Sequence, residues 1–330
     1  QIGLAMLACR GDMLPLYYQV YPGNLHDSKE FRTVIEKLAD IVWGINGSKK
    51  RLTIVVDKGM NSEDNFAVID DNKQIHFITT YSTHYSEELT NISLDKFSPV
   101  KQDDGDDREP VLAYRTTGEY WGADRTVVIT FNPRTARKQS IVFEEKMDVL
   151  REELLQMRSK VNAGQAHWKS EESVRERYVK ICEHLHISTA VYELSFEKNR
   201  AGLKMAFRQN AYWMSKHIAA FGKSIIITDN SDWATDEIVK ANLDRWQIEL
   251  QFRQSKDEDH VCTMPIRHWT DGQIRCHLFT CVVAITYMRL LERILRNNKI
   301  QMTGAEALNK MKTLHSVLMI RKTRPIRQLE

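Results

Sequence analysis

The chain has 330 residues, 42% hydrophobic and 28% charged, with 14 glycines and 7 prolines, a composition that excludes disordered and collagen-like proteins. That length buries a substantial core, in one large domain or two interleaved ones. A formal net charge of +3 permits a nucleic-acid partner without indicating one, so any such assignment has to rest on local residues.

The first 35 residues read as a β-hairpin, "IGLAMLAC" and "LPLYYQVYPGN" joined by the turn-forming "RGDM". "SKEFRTVIEKLADIVWGI" then has apolar residues at helical spacing, with Ser28 as N-cap. "RLTIVVDKGM" is a short apolar run bounded by charge and glycine, the pattern of a buried strand. A short helix from Ser62 through Ile69 and a further strand, "QIHFITTY", follow. The order hairpin, helix, strand, helix, strand predicts a mixed α/β sheet.

Periodicity changes near Thr83, and residues 84–232 read as an insertion, strand-rich with one long helix. It opens with a polar, acidic stretch, and "RTVVITFN" reads as an isolated strand. Phe143, Met147, Leu150, Leu154, Met157 and Val161 alternate at spacings of four and three, a coiled-coil-like seam that can pack within its own domain or on a second subunit. Strands are expected around Thr189 to Phe196, at "GLKMAFRQN" and at "KSIIITDN". From Asp236 the pattern is helical: one helix from Asp236 to Lys256, a second at "DGQIRCHLFTCVVAITYMRLLERILRNN", and a third at "GAEALNKMKTLHSVLMI" before a basic tail. The chain starts in a strand-like pattern and "CVVAITYM" is too short to span a bilayer, so neither a secretory leader nor a membrane segment is expected. Five cysteines, odd in number and without a CxxC pair, point to a reducing compartment and away from a zinc site.

Chemistry concentrates in "DRWQIELQFRQSK", Asp244 to Lys256. With Arg245 at zero on a wheel of about 100° per residue, Glu249 and Lys256 fall at about 40° and 20°, with Asn242 and Arg253 at about 60° and 80°. Ile248 and Phe252 flank this stripe on one side, Trp246, Leu250 and Leu243 on the other, while Asp244, Gln247, Gln251, Gln254 and Ser255 lie opposite. The wheel therefore predicts a charged trio facing inward, where charges need partners or a metal. The bland alternative is a solvated i,i+4 pair of Arg245 and Glu249. Asp57 closes the strand "LTIVVD" where the backbone turns at Lys58-Gly59. It either caps that turn or, as ligands do at strand carboxyl ends, joins Glu249 in holding a hard cation.

These residues resemble a known family. Arg245, Glu249 four on and Lys256 seven further look like the Y-R-E-K signature of bacterial insertion-sequence transposases of the DDE class, with Asn242 at the Tyr position. "VVDKGM" resembles the strand bearing the second catalytic Asp, "LPLYYQVYPGNLHD" the segment before the first helix, and "PIRHWTDGQIRCHLF" the stretch after the signature helix. The resemblance implies a ribonuclease-H-like α/β core, residues 1–83 and 233–300, interrupted by the insertion at 84–232 and followed by a C-terminal helix and basic tail at 301–330. It implies a DNA transposase of the cut-and-paste type, cytoplasmic in a prokaryote and nucleoid-associated on DNA. Two Mg²⁺ or Mn²⁺ ions would be held by Asp57, Glu249 and a first Asp upstream of residue 1, since Asp12 and Asp27 lie in a turn and a loop. Arg245, Lys256, Arg253 and Asn242 would contact double-stranded DNA at transposon ends and target, in a homodimer. The competing readings are an inactive remnant or DNA-binding relic, and a ribonuclease-H-like nuclease without strand transfer.

Weaker candidates have blander readings. Trp233 could stack on a flipped base but reads as packed. "DDGDD" at Asp103 to Asp107 lacks cation-loop spacing, and His184 and His186 lack a third ligand. Arg321, Lys322, Arg324 and Arg327 read as a solvated tail with a possible DNA contact.

Overall fold

The computed structural model describes residues 2–23, 31, 34–35, 37, 40–41, 43–44, 51–101, 109–199, 202–257, 260–314, 316–321 and 324–329, with side chains to residue 314. Asp27, Ser28 and the run Asp103 to Asp107 lie outside them. Two compact units divide the chain: Gln1–Val55, Gly59–His76 and Lys240–Glu330 in the first, Val56–Lys58 and Phe77–Val239 in the second.

The hairpin is present as β1 (Ile2–Ala8) and β2 (Pro15–Pro22), paired antiparallel from Ile2↔Pro22 to Leu7↔Tyr17 with a bulge between Leu7 and Ala8. Helix α1 passes through the described positions between 31 and 44, of which Phe31, Ile35 and Trp43 are buried. Strand β3 (Leu52–Val56), a 3₁₀ turn (Lys58–Met60), α2 (Glu63–Asp70) and β4 (Ile75–Tyr81) follow in the expected order. The Leu52 N–H donates to Gln74 O at 2.7 Å, just before β4, so β3 and β4 start side by side and run in one direction.

Six strands form one sheet in the order β3-β4-β10-β7-β6-β5, with β5 (Ser98–Pro99), β6 (Leu112–Tyr120), β7 (Ala123–Phe131) and β10 (Lys223–Thr228). Antiparallel pairing from β4 onward makes the sheet mixed. "RTVVITFN", expected to be an isolated strand, is not one: β7 pairs with β6 on one side and β10 on the other. Its Val127, Val128 and Ile129, like Ile225 to Ile227 of β10, are buried apolar runs, the pattern of central strands. Four strands of the segment 84–232 thus continue the sheet that holds β3 and β4.

That segment also carries two long helices where one was expected, α4 (Pro133–Asn162) and α5 (Glu171–Leu185), besides the short α3 (Glu87–Thr90) and α6 (Ala211–Ala219). Asn132 caps α4 through Thr135 N, and Pro133 occupies its first turn, where a missing N–H does no harm. The buried residues of α4 are the six seam residues read from its spacing. They pack within the second unit, in a cluster with Val174, Tyr178 and Cys182 of α5, Tyr192 of the β8 strand (Tyr192–Asn199) and Met205 of β9 (Gly202–Gln209).

In the first unit α9 (Asp271–Asn297) matches its expectation, capped by Thr270. The expected third helix stops early: α10 (Gly304–Met311), with a capping box of Thr303 and Glu306, gives way to β11 (Ser316–Arg321) and β12 (Arg324–Leu329). Val317 and Ile320 are β-branched and favour the extended ladder with β12 over a longer helix. Arg321, Arg324 and Arg327 therefore lie on paired strands, and Lys322 is outside the described residues. No described helix is long and apolar enough to cross a membrane.

Candidate active site

Asp57 directly follows β3 and is exposed. Ile54 is the buried residue of that strand, and the chain leaves the sheet through the Lys58–Met60 turn. The turn is fixed from behind: Asn65, itself buried, donates from Nδ2 to Met60 O at 2.9 Å, and its N–H donates to the capping Ser62 Oγ. Asp57 is thus a carboxylate presented at a strand's carboxyl end on a braced turn.

The other candidates lie in the first unit, and here two expectations fail. The single helix Asp236–Lys256 is two, α7 (Thr235–Leu243) and α8 (Trp246–Ser255). At the joint Arg245 N–H donates to Asn242 O, Gln247 N–H to Asp244 O and Ile248 N–H to Arg245 O, all i→i−3 bonds that tighten the winding where the two helices meet. A wheel drawn through Asn242 therefore loses its register at Asp244–Arg245.

The inward face is also inverted. Glu249 is 69% exposed in its side chain, Trp246 and Leu243 are exposed, and Gln251 and Ser255 are buried. The glutamine side assigned to water is the side that packs. Gln251, 0% exposed, donates from Nε2 to Met13 O at 3.3 Å; Gln254 binds the Arg289 guanidinium of α9. Gln251 Oε1 accepts no hydrogen bond among the described residues, a cost for a neutral amide that is smaller than that of an ionised glutamate in the same place, which would need a full set of partners. Glu249 at the surface meets no such demand.

Arg245 approaches Glu249 at 3.8 Å, so the structure brings these two signature residues together. Lys256 is the exposed C-cap of α8, its N–H bonded to Arg253 O, and Arg253 is exposed one turn before. Asn242 is partly buried on α7, and its Oδ1 accepts no hydrogen bond among the described residues. Asp57 belongs to the second unit, and Asn242, Arg245, Glu249, Arg253 and Lys256 to the first.

Behind α8 stands a buried ion pair absent from the sequence reading. Arg289 Nη1 pairs with Glu292, side chains 9% and 12% exposed, and Glu292 Oε1 accepts the Gly304 N–H at 2.8 Å. Arg289 also reaches Gln254, so one guanidinium links α8, α9 and the start of α10. Its only sequence signal was an arginine inside a largely apolar helix.

Asp57 and Glu249 supply hard oxygen donors, accessible to solvent, and Mg²⁺ commonly takes one or two carboxylates with phosphate and water oxygens. Each carboxylate by itself has the donor chemistry such an ion takes. Among the described residues no group of three or more His, Cys, Asp or Glu gathers to hold a metal, so the acids for two ions are not assembled by them.

A family model described as a transposase DDE domain matches residues 4–263, a span that includes Asp57, Arg245, Glu249 and Lys256. No curated protein and no solved structure matches the chain.

Proposed function

The chain belongs to the transposase DDE-domain family, and from that premise we propose that it cuts phosphodiester bonds at transposon ends and transfers the freed strands to target DNA, as a cut-and-paste transposase. The observation that carries the reading is the family match across Asp57 and the Arg245–Glu249–Lys256 spacing together. Asp57 and Glu249 act as cation ligands. When bound, Mg²⁺ or Mn²⁺ supplies Lewis-acid activation of the attacking oxygen and stabilises charge on the leaving one. Arg245 sets the Glu249 carboxylate and grips a phosphate by its planar fork; Lys256 and Arg253 add charge along the backbone. These contacts position the duplex and carry no sequence information of their own.

A second ion calls for a third acid. Among the described strands β3 stands at the edge of the sheet, and an added strand bearing an Asp would find a pairing edge beside Asp57. Two members in one active complex would serve paired ends, which makes a homodimer on double-stranded DNA the expected assembly. One observation favours the inactive-remnant reading: Asn242 stands where the signature has Tyr. Strand-transfer assays on end duplexes decide between the readings. Cleavage with joining supports the transposase, cleavage without joining the nuclease, and binding without cleavage the relic.

A further inference from the structure

We propose that the β1–β2 turn, Arg10 to Met13, is a positioning bracket that sets the rotation of α8 and so aims Glu249 and Lys256; the proposal rests on the reading that α8 carries the catalytic acid. The turn has three arms. Arg10 Nε donates to Asp244 Oδ2 at 2.6 Å, at the joint where α7 meets α8. The Met13 carbonyl accepts from Gln251, buried in the middle of α8. Asp12 pairs with Arg296 at 2.8 Å and Arg293 at 3.6 Å, both on α9. The bracket thus ties the joint and the middle of the signature helix to the helix packed beside it.

The turn is built for this. Gly11 has φ +92° and Met13 φ +55°, the latter a left-handed conformation unusual for a residue with a Cβ. Such conformations persist where their surroundings over-determine them. Here the hydrogen bonds Cys9 N–H to Leu14 O and Met13 N–H to Cys9 O close the turn on itself at 3.0 and 3.1 Å.

Helix geometry converts the grip into aim. Glu249 and Lys256 are seven residues apart, about 20° from each other on the helix, while Gln251 is two from Glu249, about 200° away. Holding Gln251 under the turn therefore holds the acid and the lysine on the opposite, open face. The i→i−3 joint at Asp244–Arg245 is the place where α8 would otherwise swivel. Arg10 is exposed and Asp244 partly so, 46% and 34%, and a pair of that kind contributes little to stability. Its contribution is orientation, and that separates the bracket from an ordinary packing contact.

The test uses the full-length protein and a duplex carrying its transposon end. Arg10→Glu, with Arg10→Gln as the milder variant, is expected to lower the single-turnover cleavage rate about 10- to 100-fold, since small misplacements of reacting groups cost that much. The duplex Kd is expected to rise by a smaller factor than the rate falls, the mark of lost positioning beyond any lost binding. The exchanged pair Arg10→Glu with Asp244→Arg is expected to recover most of the rate, as coupled neighbours do and independent sites do not. Hydrogen exchange is expected to quicken at α8 amides and not at α4. Wild-type rate and wild-type α8 exchange in Arg10→Glu, or an exchanged pair no better than either single variant, would overturn the bracket. A wild-type protein inert on DNA would instead sink the functional reading, and the exchange measurement would still decide the bracket.

Discussion

Lys256 ends α8 as an exposed C-cap, with Arg253 exposed one turn earlier and Glu249 open to solvent on the same side. A lysine so placed meets phosphate as a point charge. Lys256→Ala is expected to weaken binding to all duplexes alike and to reduce the slope of log K against log salt by about one; a fluorescence titration at several salt concentrations reads both, and a loss confined to one sequence would contradict the phosphate role. At this scale the spacing of the candidate residues was legible and their orientation was not. Arg245, Glu249 and Lys256 announce themselves by spacing. The facing of α8 depends on Gln251, whose amide finds the Met13 carbonyl, and on Trp246, which is left in solvent. Amphipathic patterning assigns glutamine outward and tryptophan inward, and it has no view of a carbonyl 238 residues away in the chain.

The α4 helix shows how far an element can be read from its pattern. Six apolar residues at alternating spacing become its six buried positions, because a helix buries the face that its own period makes continuous. Leu154, fully buried in that seam, is expected to cost about 2–5 kcal/mol on substitution by Ala, measured by chemical denaturation. Where pattern misled, a tertiary partner decided. The α7–α8 joint lies under Arg10, and "SVLMI", expected as helix, pairs with β12. On α6, the solvent-accessible His217 stacks on Trp213 at 4.6 Å and meets Phe143 and Phe221, and the partial desolvation these rings impose lowers its pKa from the usual histidine value. A depressed histidine is neutral in the folded protein while the unfolded chain still takes up a proton. The stability of the fold is therefore expected to hold above the unfolded histidine pKa of about 6.5 and to fall as pH drops below it. His217→Phe is expected to flatten that dependence in denaturation curves at pH 5 and pH 8; an unchanged slope would show that another group carries it.

At the scale of the whole chain, a mixed six-stranded sheet with flanking helices carries an aspartate at the end of one strand, and a broken helix late in sequence carries an exposed glutamate. The hairpin, the β3–α2–β4 succession and the late helices were legible because each is local. The pairing of β10 with β4 and with β7, which brings the local β5–β6–β7 succession into the same sheet, was not, since pairing across 90 or more residues leaves no mark in local periodicity. A net charge of +3 gives the chain no broad basic field, so the DNA binding proposed above rests on placed residues such as Arg245 and Lys256. The central claim, that Glu249 is a catalytic acid of a DNA-cutting enzyme, is tested most directly by Mg²⁺-dependent strand cleavage of an end duplex by the full-length protein with Glu249→Gln. The account predicts a fall in rate on the order of 10³-fold or more with duplex binding retained; cleavage at the wild-type rate would contradict it.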